Sequence, residues 1–263
     1  MTTLRLAIHG AAGRMGQRLI ALSAADRELE LVAALDAPNH PRLGEDAGII
    51  AGIGRLDVPL SATLDEPAEV LIDFSVPEAA EKILDVCLQK QIPLVTATTG
   101  LSDGQTAKLH AAAEKIPVLW SPNMSLAVNL TMKLAEVAAR ALKDKDADVE
   151  ILERHHRFKE DSPSGTALKF GQIIAGVMGL TEHRHGRAGR PGKRPHNEIG
   201  YHAVRVGDNP GEHTIIFALM GETIEMTVRA TNRDCYALGA LAAAKFLAGK
   251  PAGLYGMNDV LGF

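Results

Sequence analysis

The chain has 263 residues, which at about 150 residues per domain allows one large domain or two. Hydrophobic residues make up 46% and charged residues 23%, which supports a sizeable core and excludes a wholly disordered chain. With 28 basic against 32 acidic residues the net charge is -4, so nothing draws the whole molecule to nucleic acid or to an anionic membrane, and any anion site has to be local.

Leu4 to Ile8 reads as a strand, Arg14 to Ala24 as a helix and Leu29 to Leu35 as the next strand. Strand Val70 to Phe74, a helix opened by Pro77, strand Leu94 to Thr96, a helix from Ser102 and strand Val118 to Trp120 continue the series. This alternation predicts α/β architecture, a Rossmann-like doubly wound parallel sheet with helices on both faces. After a helix from Leu126 to Leu142 the texture changes. Val149 to His155, Ile199 to Val206, His213 to Met220 and Thr223 to Ala230 read as strands, the last three in succession with turn signals between them. They predict an α+β second domain with a mixed sheet. A closing Ala- and Leu-rich helix, Tyr236 to Ala248, is expected to return to the first domain. The expected division is therefore residues 1–125 with 236–263 as a dinucleotide-binding domain and 126–235 as a substrate-binding domain. Residues 181–197, with five Arg or Lys, read as a mobile basic loop.

Cys87 and Cys235 lie far apart with no CxxC or Cys/His zinc spacing, and both read as buried small hydrophobes in a reducing compartment. The start of the chain lacks a signal-peptide pattern, and no run approaches the ~18 apolar residues of a membrane span. A cytoplasmic protein with no membrane or nucleic-acid partner is expected.

The first strand runs into Gly10-Ala11-Ala12-Gly13-Arg14-Met15-Gly16 and then a helix. Glycines there let the backbone bend sharply beside a pyrophosphate, whose charge meets the N–H groups and positive end of the helix. Ala12 departs from the usual G-x-G-x-x-G. Asp36, twenty residues after Gly16 at the end of the second strand, suits a ribose diol. The bland alternative is a glycine-rich turn and a surface aspartate; position and spacing favour a dinucleotide. Ala37, Pro38 and Asn39 supply no cation for a 2′-phosphate, so NADH is expected over NADPH, with Arg14, His40 and Arg42 leaving dual use open. Further cofactor candidates stand at the carboxyl ends of later strands: Phe74-Ser75, Thr98-Thr99-Gly100 and Ser121-Pro122-Asn123-Met124, with plain turn chemistry as the alternative.

The densest run of functional groups is Glu153-Arg154-His155-His156-Arg157-Phe158-Lys159-Glu160-Asp161-Ser162-Pro163-Ser164-Gly165-Thr166-Ala167-Leu168. Neighbouring histidines in extended chain point to opposite sides, Lys159 adds a charge or a proton, and Ser164-Gly165-Thr166 makes a helix start suited to a carboxylate. A solvent-exposed basic turn with an ordinary Ser cap, or histidines satisfying core hydrogen bonds, would be the bland alternatives.

The whole chain resembles the dihydrodipicolinate reductase family. The resemblance rests on the Gly10–Gly16 run, Thr98-Thr99-Gly100, Pro122-Asn123-Met124-Ser125, the pattern E-x-H-H-x-x-K-x-D-x-P-S-G-T-A from Glu153, and Gly211-Glu212-His213-Thr214. It implies nicotinamide-dependent reduction of a cyclic imine dicarboxylate, 4-hydroxy-tetrahydrodipicolinate, to tetrahydrodipicolinate with loss of water, on the diaminopimelate route to lysine. It also implies His155 and Lys159 as proton-transferring residues, and His156, Ser164, Gly165 and Thr166 as substrate contacts. The cofactor contacts it implies are Gly10 to Met15, Asp36, Ala97 to Thr99 and Ser121 to Met124. A homotetramer built through the second domain is a further implication. Ala37, where dual-cofactor members often carry arginine, sharpens the NADH expectation, and Ala97 replaces a frequent glycine. Arg187, Arg190 or Lys193 of the basic loop are candidates for attracting a dianion. Three other readings remain: a different two-domain dehydrogenase, a non-catalytic NAD sensor, and a metal site on His183, His185 and His196, which the lack of nearby cysteine and the basic surroundings disfavour.

Overall fold

In the computed structural model, which describes residues 3–263, the chain divides into two compact units. The first comprises the residues up to Leu126 together with Arg233–Phe263, the second Ala127–Asn232.

The first unit runs β1 (Leu4–His9), α1 (Arg14–Ala24), β2 (Leu29–Leu35), α2 (Ala47–Ala51), β3 (Leu60–Ser61), β4 (Val70–Asp73), α3 (Pro77–Lys90), β5 (Leu94–Thr96), α4 (Asp103–Ala113) and β6 (Pro117–Trp120). After the second unit it closes with α7 (Asp234–Leu247), β12 (Gly253–Tyr255) and α8 (Met257–Val260). Its seven strands form one parallel sheet in the order β12-β6-β5-β4-β1-β2-β3. Successive strand side chains point to opposite faces, and here they separate into two cores. Leu6, Ile8, Ile72 and Val95 pack with Leu19 and Ile20 of α1 and Ala240, Leu241 and Ala244 of α7. Ala7, Leu71, Leu94 and Val118 pack with Ile83, Leu84 and Cys87 of α3 and Leu109 and Ala112 of α4. Each such fully buried Leu or Ile contributes roughly 1.5–3 kcal/mol. Local signals start and stop the helices: Pro77 sits in the first turn of α3, and Ser102 and Gln105 close a capping box on α4.

Strand order reverses at β1, which lies between β2 and β4. The carboxyl ends of β1 and β4 therefore flank the crevice where open α/β sheets bind ligands.

The second unit contains α5 (Leu126–Leu142), β7 (Asp148–His155), α6 (Gly165–Met178), β8 (Glu182–His185), β9 (Glu198–Arg205), β10 (Glu212–Leu219) and β11 (Glu222–Arg229). Its sheet is mixed, in the order β11-β10-β7-β9-β8, with β7, β9 and β8 parallel and β10 and β11 antiparallel. Val128, Ala135 and Ala139 of α5 and Phe170 and Ile174 of α6 cover one face through Val149, Ile151, Ile199, Tyr201, Ile215 and Phe217.

Several sequence expectations need correction here. β9 and β10 follow one another in the chain but are not neighbours, because β7 lies between them and pairs with both; only β10 and β11 form a hairpin. The segment 181–197 is not all loop: Glu182–His185 adds the edge strand β8, held by stacking of His183 and His185 on Tyr201 at 5.7 and 5.1 Å between ring centroids. Its burial is low throughout, so no apolar alternation announced it. Cys87 is buried, but Cys235 is only half-buried. The short elements α2, β3, β12 and α8 carried no signal long enough to read.

Candidate active site

The expected cofactor residues lie along the carboxyl edge of the parallel sheet, each at a strand end. Gly10, at φ +74°, sits where a Cβ would come within 2.6 Å of the Phe74 carbonyl oxygen after β4, and a Cβ on Gly16 would meet the Gly10 carbonyl at 2.2 Å. These glycines let the turn fold tightly onto β4 and α1. Ala11 is fully buried beneath the turn. Gly13 is the N-cap of α1 and offers no side-chain acceptor to the first turn, whereas Asp46, Ser102 and Ser164 cap α2, α4 and α6. The N–H groups beginning at Arg14 and Met15 are thus without a side-chain cap at the positive end of a helix, which fits a pyrophosphate.

Asp36, at the end of β2, accepts the Ala12 N–H on Oδ2 and the Ala37 N–H on Oδ1, both at 2.9 Å. It therefore holds the glycine turn in shape, and each carboxylate oxygen keeps a lone pair for a ribose hydroxyl. Ala37, Pro38 and Asn39 are exposed. Arg42 is bound to Glu45 through Nε and Nη2 at 2.9 and 2.8 Å, which engages one of the cations that could have met a 2′-phosphate; Arg14 is exposed.

Beneath Phe74 and Thr98 lies a network that the sequence reading passed over. Asp73 is fully buried at the end of β4 and binds His9 Nδ1 at 2.7 Å, Ser75 Oγ at 2.6 Å, Thr96 Oγ1 at 2.9 Å and Thr98 Oγ1 at 2.7 Å. Burial would raise its pKa, but these donors, His9 first, hold it below the ordinary carboxylate range. Asp73 thereby ties together the ends of β1, β4 and β5, while Thr99 is exposed beyond it. At the end of β6, Ser121 Oγ donates to the Asn123 carbonyl at 2.8 Å, and Met124 is buried with its carbonyl 1.8 Å from where a Cβ on Gly239 of α7 would lie. The 121–124 turn is thus seated directly on α7, with Pro122 exposed.

The catalytic candidates stand at the end of β7. Glu153 and His155 are two apart on a strand and share one face; Glu153 is 1% exposed and His155 7%. His155 Nδ1 meets Glu153 Oε2 at 2.5 Å. In the parallel register His155 lies opposite Arg205 of β9, whose Nη1 and Nη2 each reach a Glu153 oxygen at 2.8 Å. Burial by itself would raise the Glu153 pKa, but the hydrogen bonds from His155 and Arg205 hold it down at about 2. A charged Glu153 can only accept, so Nδ1 carries the hydrogen and Nε2 is left as the ring nitrogen able to exchange a proton. His155 Nε2 would stand 2.9 Å from a Cβ at Gly211, whose φ is +151°; glycine there keeps the backbone against the ring.

His213 of β10 meets His155 edge-on, 5.2 Å between centroids, and its Nε2 is 3.1 Å from Ser164 Oγ. Burial, helped by the His155 charge, pushes the His213 pKa down to about 4. One histidine of this pair is thereby kept neutral beside the other.

After β7 the chain turns, and the turn is clamped by the loop at 206–211. His156 N–H donates to the Asn209 carbonyl at 2.8 Å, Arg157 N–H to Gly207 at 3.0 Å and Lys159 N–H to His156 at 3.1 Å. Lys159 Nζ lies 2.7 Å from Asp161 Oδ1. Ser164 N–H donates to Glu153 Oε1 at 3.1 Å, and its hydroxyl, as N-cap of α6, accepts the Ala167 N–H at 3.2 Å. Ser164 Oγ is therefore engaged by the cap and by His213, and Gly165 and Thr166 follow it as the first residues of α6. A Cβ on Gly165 would meet nothing within 4 Å. Among the described residues, the buried side-chain atoms without a hydrogen-bond partner are His156 Nδ1 and Arg205 Nε, and both belong to this cluster.

The basic segment looks inward to its own sheet. Arg187 pairs with Glu150 at 2.8 Å and with Glu198, and Arg194 with Asp148 at 2.6 Å. Arg187 is thus neutralised locally, which weakens its candidacy for attracting a dianion. His183 and His185 stack on Tyr201, and His196 pairs with Asp146 at 2.6 Å.

The roles of Glu153, Arg205 and His213 were missed by sequence reasoning. The i, i+2 spacing of Glu153 and His155 was a usable signal, whereas Arg205 depends on the β7/β9 register and had none.

A family model described as dihydrodipicolinate reductase, N-terminus, matches residues 4–124, and one described as dihydrodipicolinate reductase, C-terminus, matches residues 127–261. The chain belongs to the dihydrodipicolinate reductase family. The 4-hydroxy-tetrahydrodipicolinate reductase of Rhodopirellula baltica is 56% identical over 269 residues, covering 98% of this chain and 96% of that protein. The protein of the same name from Alkalilimnicola ehrlichii is 49% identical, covering 99% of each. A dipicolinate-bound dihydrodipicolinate reductase from Paenisporosarcina superposes with a TM-score of 0.79 at 27% identity, over 98% of this chain and 99% of that one. The family assigned from the sequence motifs is the family found.

Proposed function

We propose that this reductase converts 4-hydroxy-tetrahydrodipicolinate to tetrahydrodipicolinate and water, on the diaminopimelate route to lysine, with NADH as the preferred reductant and NADPH as a poorer one. The observation that carries the reading is the Glu153-anchored His155, its Nε2 set apart for proton exchange beside Lys159 and the start of α6, within a chain matched end to end by reductases of that name. The dihydronicotinamide supplies the hydride. The residues of this chain hold the two reactants and handle the protons.

Asp36 would hold the adenine ribose, the α1 start from Gly10 to Met15 the pyrophosphate, and Phe74, Ala97 to Thr99 and Ser121 to Met124 the nicotinamide half. In the second unit the α6 start at Gly165 and Thr166, with His156, would receive the substrate carboxylates. Support comes from the open space at Gly165, where neither φ nor packing within the chain calls for glycine, and from the partnerless His156 Nδ1. Adding a hydride to the ring and expelling the 4-hydroxyl as water consumes one proton overall; His155 through Nε2 and Lys159 through Nζ are the groups assigned to deliver it and to steady the charge that develops. Ser164 orders the α6 start through its cap and through His213.

NADH oxidation followed at 340 nm, with substrate generated from pyruvate and aspartate semialdehyde by the preceding synthase, tests the reading. Turnover is expected with both reductants, with kcat/KM higher for NADH because Ala37, Pro38 and Asn39 after Asp36 carry no cation and Arg42 is engaged by Glu45. No turnover with either, from protein shown to bind cofactor, would move the chain to another dehydrogenase activity; a lower KM for NADPH would refute the preference alone.

The sheet face of the second unit opposite α5 and α6 carries Leu152, Val204, Thr214 and Ile216, with Val204 43% exposed. We assign this face to self-association into a homotetramer. Sedimentation equilibrium should return four times the 28.0 kDa chain mass, and a monomer at micromolar concentration would rule the assembly out.

A further inference from the structure

Asp161 is bound in an unexpected place. Its carboxylate meets Lys159 Nζ at 2.7 Å, four residues before the start of α6 at Gly165. Lys159 is one of the groups assigned above to the reaction. Its backbone is fixed separately: Arg205, itself locked on Glu153, donates from Nη2 to the Asp161 carbonyl at 2.6 Å. The side chain, in contrast, is 58% exposed, so the carboxylate can leave while the chain beneath it stays. Lys159, with its hydrogen bond, holds Asp161 below the usual carboxylate range, and the side chain is thus an anion when a second anion arrives.

Resting on the substrate-site reading above, we propose that Asp161 is an internal competitor for the substrate carboxylate. The Lys159 ammonium binds either Asp161 or a carboxylate of the dicarboxylate ligand, and binding exchanges the first for the second. The chemistry is matched, since both are carboxylates meeting the same ammonium. The exchange is also cheap, because an exposed ion pair is weak and its loss should lower affinity only about two- to fivefold. The partnerless His156 Nδ1 marks a further contact that Asp161 does not fill. The consequence is a specificity device: a ligand has to bring a carboxylate that outcompetes Asp161, and one without a carboxylate at that position cannot free Lys159.

The test is the Kd of pyridine-2,6-dicarboxylate by titration calorimetry with the full chain and saturating NADH. Asp161→Asn and Asp161→Ala should each bind about threefold more tightly or better, with a parallel fall in the substrate KM. Glu160→Gln removes the same charge one residue away, where no exchange takes place, and should change Kd by less than about 1.5-fold. Equal tightening in Glu160→Gln would reduce the effect to the general field and overturn the exchange. Unchanged or weaker binding in both Asp161 variants would also overturn it, making Asp161 a support for Lys159 instead. Wild-type protein that binds no pyridine-2,6-dicarboxylate would sink the site reading itself, and the exchange with it.

Discussion

His155→Ala should lower kcat by at least ~10²-fold while leaving the Kd for NADH within about twofold of wild type. Glu153 captures Nδ1 at 2.5 Å, so the single remaining ring nitrogen is the one that can pass a proton, and the adjacent His213 cannot take its place, being held neutral with its pKa pushed down to about 4. Lys159→Ala should cost a similar factor, with a rise in substrate KM as well if the ammonium exchanges Asp161 for a substrate carboxylate as proposed above. If the two groups act in one concerted transfer, the double variant should be little worse than the more damaging single one, as happens when residues work as a unit. The competing reading is a core histidine that only satisfies Glu153. It predicts a lowered Tm for His155→Ala with kcat nearly intact, and steady-state kinetics beside a melting curve separate the two.

The first unit was legible in the sequence because a parallel sheet covered on both faces leaves strong marks. Its strands are short, mostly apolar runs such as Val70-Leu71-Ile72, and its helices carry their own starts at Pro77 and Ser102. Leu29–Leu35 and Arg14–Ala24 coincide with the expected bounds. The second unit was legible strand by strand but not in order, since the pairing of β7 with both β9 and β10 is a long-range choice that no local pattern encodes. For the same reason the residues around His155 could be named only where they are close in sequence. Arg205, 52 residues from Glu153, and the His9–Asp73 pair, 64 residues apart, become partners only through strand register. Asp161 shows the remaining gap: its place in the motif was plain, whereas its occupation of Lys159 is a matter of geometry.

The second large effect concerns Glu153, and its sign with pH can be worked out. Glu153→Gln leaves the Arg205 guanidinium without its carboxylate at a site where Glu153 is 1% exposed. Breaking a buried charge pair from one side costs about 3–5 kcal/mol, so a Tm drop of many degrees is expected at pH 7. The folded-state pKa of Glu153 is about 2 against an ordinary 4.5. A depressed carboxylate stabilises fully above 4.5, and that stability, on the order of 3 kcal/mol, is lost as pH falls towards 2, because there the unfolded chain binds the proton first. His213 gives the same sign in a higher window. Its folded pKa of about 4 lies below the ordinary 6.5, so between these values the unfolded chain again binds more protons, and stability falls as pH is lowered from 6.5 to 4. Wild type should therefore lose stability in two stages on acidification. His213→Gln should flatten the upper stage, and Glu153→Gln should remove one proton's share of the lower one, the rest belonging to groups such as Asp73, also depressed. Chemical denaturation at pH steps between 7 and 3 measures both. A Glu153→Gln protein as stable as wild type at pH 7 would mean that Arg205 and His155 do not depend on a charged Glu153, and the assignment of Nε2 as the exchanging nitrogen would fall with it.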